Sequence, residues 1–155
     1  MPPILPRNLS QALSAFFDEG VEFLVVGAVA VGVHDVPRAT GALDLWVRRT
    51  SENAVRVWRA LARFGAPLEH VGPAEFEVED MVYQFGLPPE RIDVMTSVSG
   101  VTWEEAWSSR VMLTHDGRSI PVIGAAALIT NTEASGRAKD LRDAERLRES
   151  ARRRS

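Results

Sequence analysis

Apolar residues recur at helical spacing from Asn8 to Glu19, where Leu9, Leu13, Phe16 and Phe17 form one stripe. Asn8 and Gln11 stand as a capping box at its start, and Gly20 stands as its stop. The pattern then changes. Val21 to Val26 is a nearly continuous, valine-rich apolar run, which predicts a short strand buried on both faces and ended by Gly27. Ala28 to His34 is small and apolar enough for one or two helical turns. Asp35-Val36-Pro37-Arg38 then forces a loop, because proline disfavours helix at the residue before it. Leu43 to Arg48 reads as a second strand packed by Leu43, Leu45 and Val47.

Ser51 to Phe64 predicts an amphipathic helix with Val55, Trp58, Leu61 and Ala62 on its buried stripe, Arg56, Arg59 and Arg63 facing water, and Gly65 closing it. Met81 to Leu87 and Arg91 to Thr96 predict two strands joined through Pro88-Pro89 and pairing with one another. Thr102 and Glu105 cap a short helix carrying Trp103 and Trp107, and Val111 to Ile123 reads as a hairpin turning at Asp116-Gly117. From Ala125 onward the pattern is helical with a break at Ser135-Gly136. Strands and helices alternate, so the expectation is an α/β (α+β) single domain over 1–155 with a mixed central sheet flanked by helices. Residues 1–20 supply the N-terminal helix and 124–155 a C-terminal helical segment.

Composition narrows the function classes. The chain has 155 residues, of which 45% are hydrophobic and 25% charged, the ordinary balance of a globular domain. A net charge of -3 gives no global attraction to nucleic acid or an anionic membrane, so any basic surface must be local, as in Arg146 to Arg154. The absence of cysteine removes disulfides and thiolate metal sites. MPPILPRN lacks the form of a signal peptide, and the longest apolar runs, Phe23 to Val33 and Val122 to Ile129, are too short to span a bilayer. A cytoplasmic location with no membrane partner is expected.

The stretch from Phe23 to Val47, FLVVGAVAVGVHDVPRATGALDLWV, resembles the signature of the nucleotidyltransferase superfamily with the DNA polymerase beta-like fold. In that family a strand ends in Gly-Gly or Gly-Ser, a short helix follows, and a second strand carries two acids one position apart. The resemblance runs from Val21 to about Leu147 and is nearest to small bacterial toxin and abortive-infection-type proteins. It implies a nucleoside triphosphate as substrate, Mg or Mn as cofactor, an RNA or protein acceptor, and a possible cognate toxin or antitoxin partner. Asp44 matches the second acid of the pair and Asp93, in RIDVM, the third; both are the implied catalytic and metal-holding residues. Gly27, Ala28, Arg38, Thr40 and Lys139 are the implied nucleotide-binding residues.

Three letters depart from that pattern, and all three fall on the chemistry. Ala42 stands where the first acid belongs, Ala28 replaces the second glycine, and Thr132 follows Asn131 where similar C-terminal motifs carry lysine. Hard divalent cations want carboxylate oxygens, and acids at alternate strand positions share a face, so loss of one acid cripples a two-metal grip. The stabilisation at stake per transition-state contact is roughly 3 to 4 kcal/mol, about 100- to 1,000-fold in rate. The sequence therefore predicts a nucleotide-binding cleft with impaired transfer, the mark of either a natural pseudoenzyme or an engineered variant. The alternative is a non-catalytic binding module on the same fold. Natural divergence and deliberate alteration leave the same letters.

Each candidate also has an ordinary structural reading. Arg38 or Arg91 can pair with Asp44 or Asp93, because a buried lone charge is costly. Arg38 either contacts phosphate or ties its loop to Asp35. His34 reads as a satisfied core or loop histidine and Trp58 as core, while Trp46 is open between core and base stacking. Arg137, Lys139, Arg142 and the terminal Arg152-Arg153-Arg154 form either a solvated helical face or an arm for an RNA acceptor.

Overall fold

The computed structural model describes residues 5–36, 42–87 and 90–154. Six strands form one mixed sheet: β1 (Phe23–Val26), β2 (Ala42–Val47), β3 (Val82–Phe85), β4 (Arg91–Met95), β5 (Val111–His115) and β6 (Arg118–Val122), in the order β3-β4-β2-β1-β6-β5. β1 runs antiparallel to β2 and parallel to β6, β2 runs parallel to β4, and the outer pairs β3/β4 and β5/β6 are antiparallel. The helices are α1 (Arg7–Asp18), α2 (Gly27–His34), α3 (Ser51–Phe64), α4 (Trp103–Ser108), α5 (Ala125–Ser135) and α6 (Ala138–Arg154), with a 3-10 turn at Pro73–Glu77 that the sequence pattern did not signal. The expected α/β layering with a mixed central sheet is what the chain adopts. Among the described residues no helix is long and apolar enough to cross a membrane.

All four residues of β1 are buried, as a central strand covered on both faces requires. Leu43, Leu45 and Val47 are fully buried, which sends Ala42 and Asp44 to the opposite face of β2. α1 packs on α3 and β6, while α2 packs on β1, β2, α5 and α6. The hairpin turns at Asp116 and Gly117, both at positive φ (51° and 73°), the paired left-handed conformation of a two-residue turn.

Local details correct the pattern reading in three places. Asn8 does not cap α1: the N-cap is Pro6 with no side-chain cap, and Asn8 lies inside the helix reaching toward Glu90. Phe17 is exposed, and the buried face of α1 is Leu9, Ala12, Leu13, Ala15 and Phe16. On α3 the inward stripe is Ala54, Val57, Ala60 and Leu61 with Asn53, so Val55 and Ala62 turn outward. Small residues such as Ala54 and Ala60 count weakly in a hydrophobicity pattern, which is why the pattern points to Val55 instead.

Asn53 is fully buried and ties three segments together. Its Oδ1 accepts from the Glu22 amide at 2.7 Å, and its Nδ2 donates to the carbonyls of Glu22 and Arg48 at 3.0 and 2.9 Å. These bonds hold the entry of β1 and the exit of β2 against the first turn of α3. Asn53→Ala is expected to cost about 2 to 4 kcal/mol, because it orphans buried backbone groups as well as removing bonds; urea unfolding checks this, and a loss below about 0.5 kcal/mol would contradict it.

Candidate functional site

Pairing register decides the site. In the parallel pair β2/β4, Asp44 stands opposite Asp93 and Ala42 opposite Arg91. Neighbouring strands lie about 4.8 Å apart, so two aspartates far apart in the chain become side-by-side carboxylates on one sheet face. That face floors a cleft of about 650 Å³, walled by Gly27, Ala28, Asn131, Thr132 and Lys139 among others. Gln84 on β3, opposite Asp93, lines the same cleft.

Gly27 is where β1 turns into α2, with φ of +67°. A Cβ there would lie 2.1 Å from Oδ2 of Asp44. Only glycine admits both the backbone conformation and a carboxylate seated against the chain at the start of α2. Ala28, next along, also lines the cleft.

The two carboxylates differ in environment. Burial pushes the Asp44 carboxyl up to about 6, and the negative charge of Asp93 pushes the same way, while Arg91 and Lys139 pull against them. Oδ1 of Asp44 is buried with no hydrogen-bond partner among the described residues. Asp93, 7% exposed, is held by Arg91, whose Nε and Nη2 donate to Oδ1 and Oδ2 at 3.0 and 3.2 Å. The ordinary reading of an arginine paired with one of the acids thus applies to Arg91 and Asp93. The pair lies in the cleft rather than in the core, and the Arg91 side chain is 41% exposed.

This donor set does not fit a two-metal centre. Both oxygens of Asp93 are already bonded, position 42 offers a methyl group, and among the described residues no cluster of three or more His, Cys, Asp or Glu side chains could hold a metal ion. Thr132 adds nothing to the cleft electrostatically: its hydroxyl turns back to the carbonyls of Leu128 and Ile129, both at 3.0 Å. Asn131 donates to the Ser99 carbonyl at 3.0 Å, fastening the segment after β4 to α5.

Lys139 and Arg137 both line the cleft at the start of α6. Arg137 bonds Asp140 at 2.9 Å, and Asp140 also accepts from Ser135 at 2.5 Å. Lys139 is exposed and makes no ion pair with the described residues. Arg142 is exposed and lies outside the cleft lining, and Arg152, Arg153 and Arg154 are exposed at the end of α6. Arg38 and Thr40 lie outside the described residues. Asp35 is held by Arg146 at 2.9 Å and by Ser150 at 2.6 Å, which anchors the exit of α2 to α6.

The histidine and tryptophans take their ordinary roles. His34 is buried, with Nε2 2.7 Å from the Ile123 carbonyl oxygen and its pKa lowered by that burial. Trp46 is core, packed edge-on to Trp103 at 5.2 Å. Trp58 is half-buried and donates to the Val71 carbonyl at 2.7 Å. Sequence reasoning missed Gln84, Ser99 and Asp143 as cleft residues. Period-two alternation marks Gln84 as a face residue of β3, but nothing in the letters says that the face belongs to the cleft.

No protein-family model matches the chain, and no curated protein does. Its fold is similar to that of a solved structure, a putative nucleotidyltransferase from Thermotoga maritima, with a TM-score of 0.57 over 97% of each chain. The two are 15% identical in sequence, so the likeness is one of fold. The chain has a nucleotidyltransferase-like fold.

Proposed function

We propose that the protein binds a nucleoside triphosphate in this cleft and is impaired in transferring the nucleotide. The observation that carries the reading is the meeting of Gly27, Asp44, Asp93 and Lys139 in one cleft of about 650 Å³. The glycine turn and the amide groups at the start of α2 suit the close approach of phosphate oxygens, and Lys139 supplies an exposed cation. Asp44 is the carboxylate available to accept a proton or a donor from a bound ligand, since Asp93 is occupied by Arg91. Mg or Mn, which would supply charge neutralisation at the reacting phosphate, is held weakly or not at all by the acids that remain. An acceptor hydroxyl on RNA or protein is the class of co-substrate that such a transfer would use.

Isothermal titration with each of the four common nucleoside triphosphates tests the binding half; absence of heat with all of them would remove the cleft reading. For the transfer half, the chain carrying Ala28→Gly, Ala42→Asp and Thr132→Lys is incubated with labelled nucleotide and cell extract. Restored transfer is expected to exceed that of the wild type by about 100-fold or more. A wild type that transfers as well as the restored chain would show that these positions do not limit the chemistry.

A further inference from the structure

We propose that Arg91 is the resident cation of the cleft: its guanidinium, fixed on Asp93, excludes divalent ions from the two aspartates and binds phosphate oxygens in their place. The phosphate-binding part rests on the nucleotide reading above; the exclusion of metal stands on the Arg91–Asp93 geometry alone.

A hard divalent ion needs the lone pairs of carboxylate oxygens. At Asp93 both oxygens already accept from Arg91, at 3.0 and 3.2 Å. Each oxygen keeps a second lone pair, but arginine cannot deprotonate to make way, so an ion entering there must sit beside a fixed positive charge. Position 42 enforces the arrangement. Ala42 is the parallel-pair partner of Arg91 on β2, and a methyl group there offers no rival carboxylate to draw the guanidinium away from Asp93.

The pairing leaves the arginine capable of more. A guanidinium has five N–H donors, of which Asp93 takes two, and the side chain is 41% exposed where it lines the cleft. A planar fork held still by a carboxylate is matched to phosphate oxygens and loses little freedom on binding them. Lys139, exposed on the same cleft, adds a second positive charge. The ligand chemistry is therefore a polyphosphate taken up without a divalent ion.

The test uses the full chain, Arg91→Gln, and Arg91→Gln/Asp93→Asn, which leaves no unmatched charge should the single variant fold poorly. Mn²⁺ is titrated alone and followed by its paramagnetic resonance signal. The wild type is expected to leave Mn²⁺ free, Arg91→Gln to bind it at least about tenfold more tightly, and the double variant to lose that gain. Equal Mn²⁺ binding by wild type and Arg91→Gln, or binding by neither, overturns the exclusion. Inorganic tripolyphosphate is then titrated calorimetrically with EDTA or with Mg²⁺. Equal affinity in the two conditions, falling about tenfold in both variants, is the expected result. Binding that requires Mg²⁺ overturns the proposal and leaves nucleotide binding intact. Absence of binding in both conditions overturns the phosphate role of Arg91 and, if nucleoside triphosphates also fail to bind, the cleft reading with it.

Discussion

Asp44→Asn is expected to make the protein more stable at neutral pH, by up to about 3 kcal/mol. The Asp44 carboxyl is raised from its ordinary 3.8 to about 6 by burial first and by the neighbouring Asp93 charge second. That gap of roughly two pK units, at about 1.36 kcal/mol each, is the cost of ionising Asp44 in the folded state. Folded protein holds this proton more tightly than the unfolded chain does. Between 3.8 and about 6 the unfolded state has released it and the native state has not, so rising pH favours unfolding across that window. The penalty is absent below 3.8 and complete above about 6. Asparagine carries no such charge, and its amide can donate to Asp93. Urea unfolding of both proteins across this range should show curves that coincide at the acid end and separate toward neutrality. Parallel curves with no pH-dependent gap would mean that Asp44 ionises without strain.

Gly27→Ala should be among the most damaging single-methyl changes in the chain. Alanine at a φ of +67° costs about 1 to 2 kcal/mol for the left-handed backbone alone. Its Cβ also falls 2.1 Å from Oδ2 of Asp44, so the carboxylate must leave its seat against α2, and a total loss of about 3 kcal/mol is expected. A double-mutant cycle separates the two effects. In an Asp44→Ala background the overlap with the carboxylate is gone, leaving the backbone cost and a tight 3.1 Å contact with the Cβ of residue 44, and a coupling of about 1 to 2 kcal/mol is expected. Strict additivity would show that the side chain at 44 does not press on this turn in solution.

The two effects share an origin. A site that seats a half-buried carboxylate against a glycine backbone, beside a second carboxylate, is held at the expense of stability, and such spots are where function is sought first. Arg91 offsets part of the strain through Asp93, but Oδ1 of Asp44 has no donor among the described residues.

Most element boundaries were legible because they rest on local chemistry. α3 covers Ser51–Phe64 as its periodicity predicts, with Thr50 accepting from the Asn53 amide and Gly65 closing it. The capping box of Thr102 and Glu105, the Asp116-Gly117 turn and the break at Gly136 all follow from side chains and backbone preferences within a few residues. Where the reading failed, a neighbouring proline or the packing against other elements decided. Asn8 resembles a cap, yet Pro6 takes that position; Val55 resembles core, yet Ala54 and Ala60 are the residues that face inward.

The sequence alone determined that strands and helices alternate, that Gly27 follows a buried strand, and that an alanine stands at 42 two residues before Asp44. These are statements about one stretch of chain and its own steric and hydrophobic preferences. Only the tertiary structure decided that β2 and β4 are parallel neighbours in the register that sets Asp44 beside Asp93 and Ala42 beside Arg91. The reason is physical: a strand's letters fix which residues share a face, while the partner strand and its register are set by packing of the whole sheet. Strand alternation alone puts Arg91 on the same face as Asp93, but only that packing turns the face into the cleft floor and brings the guanidinium's charge beside Asp44.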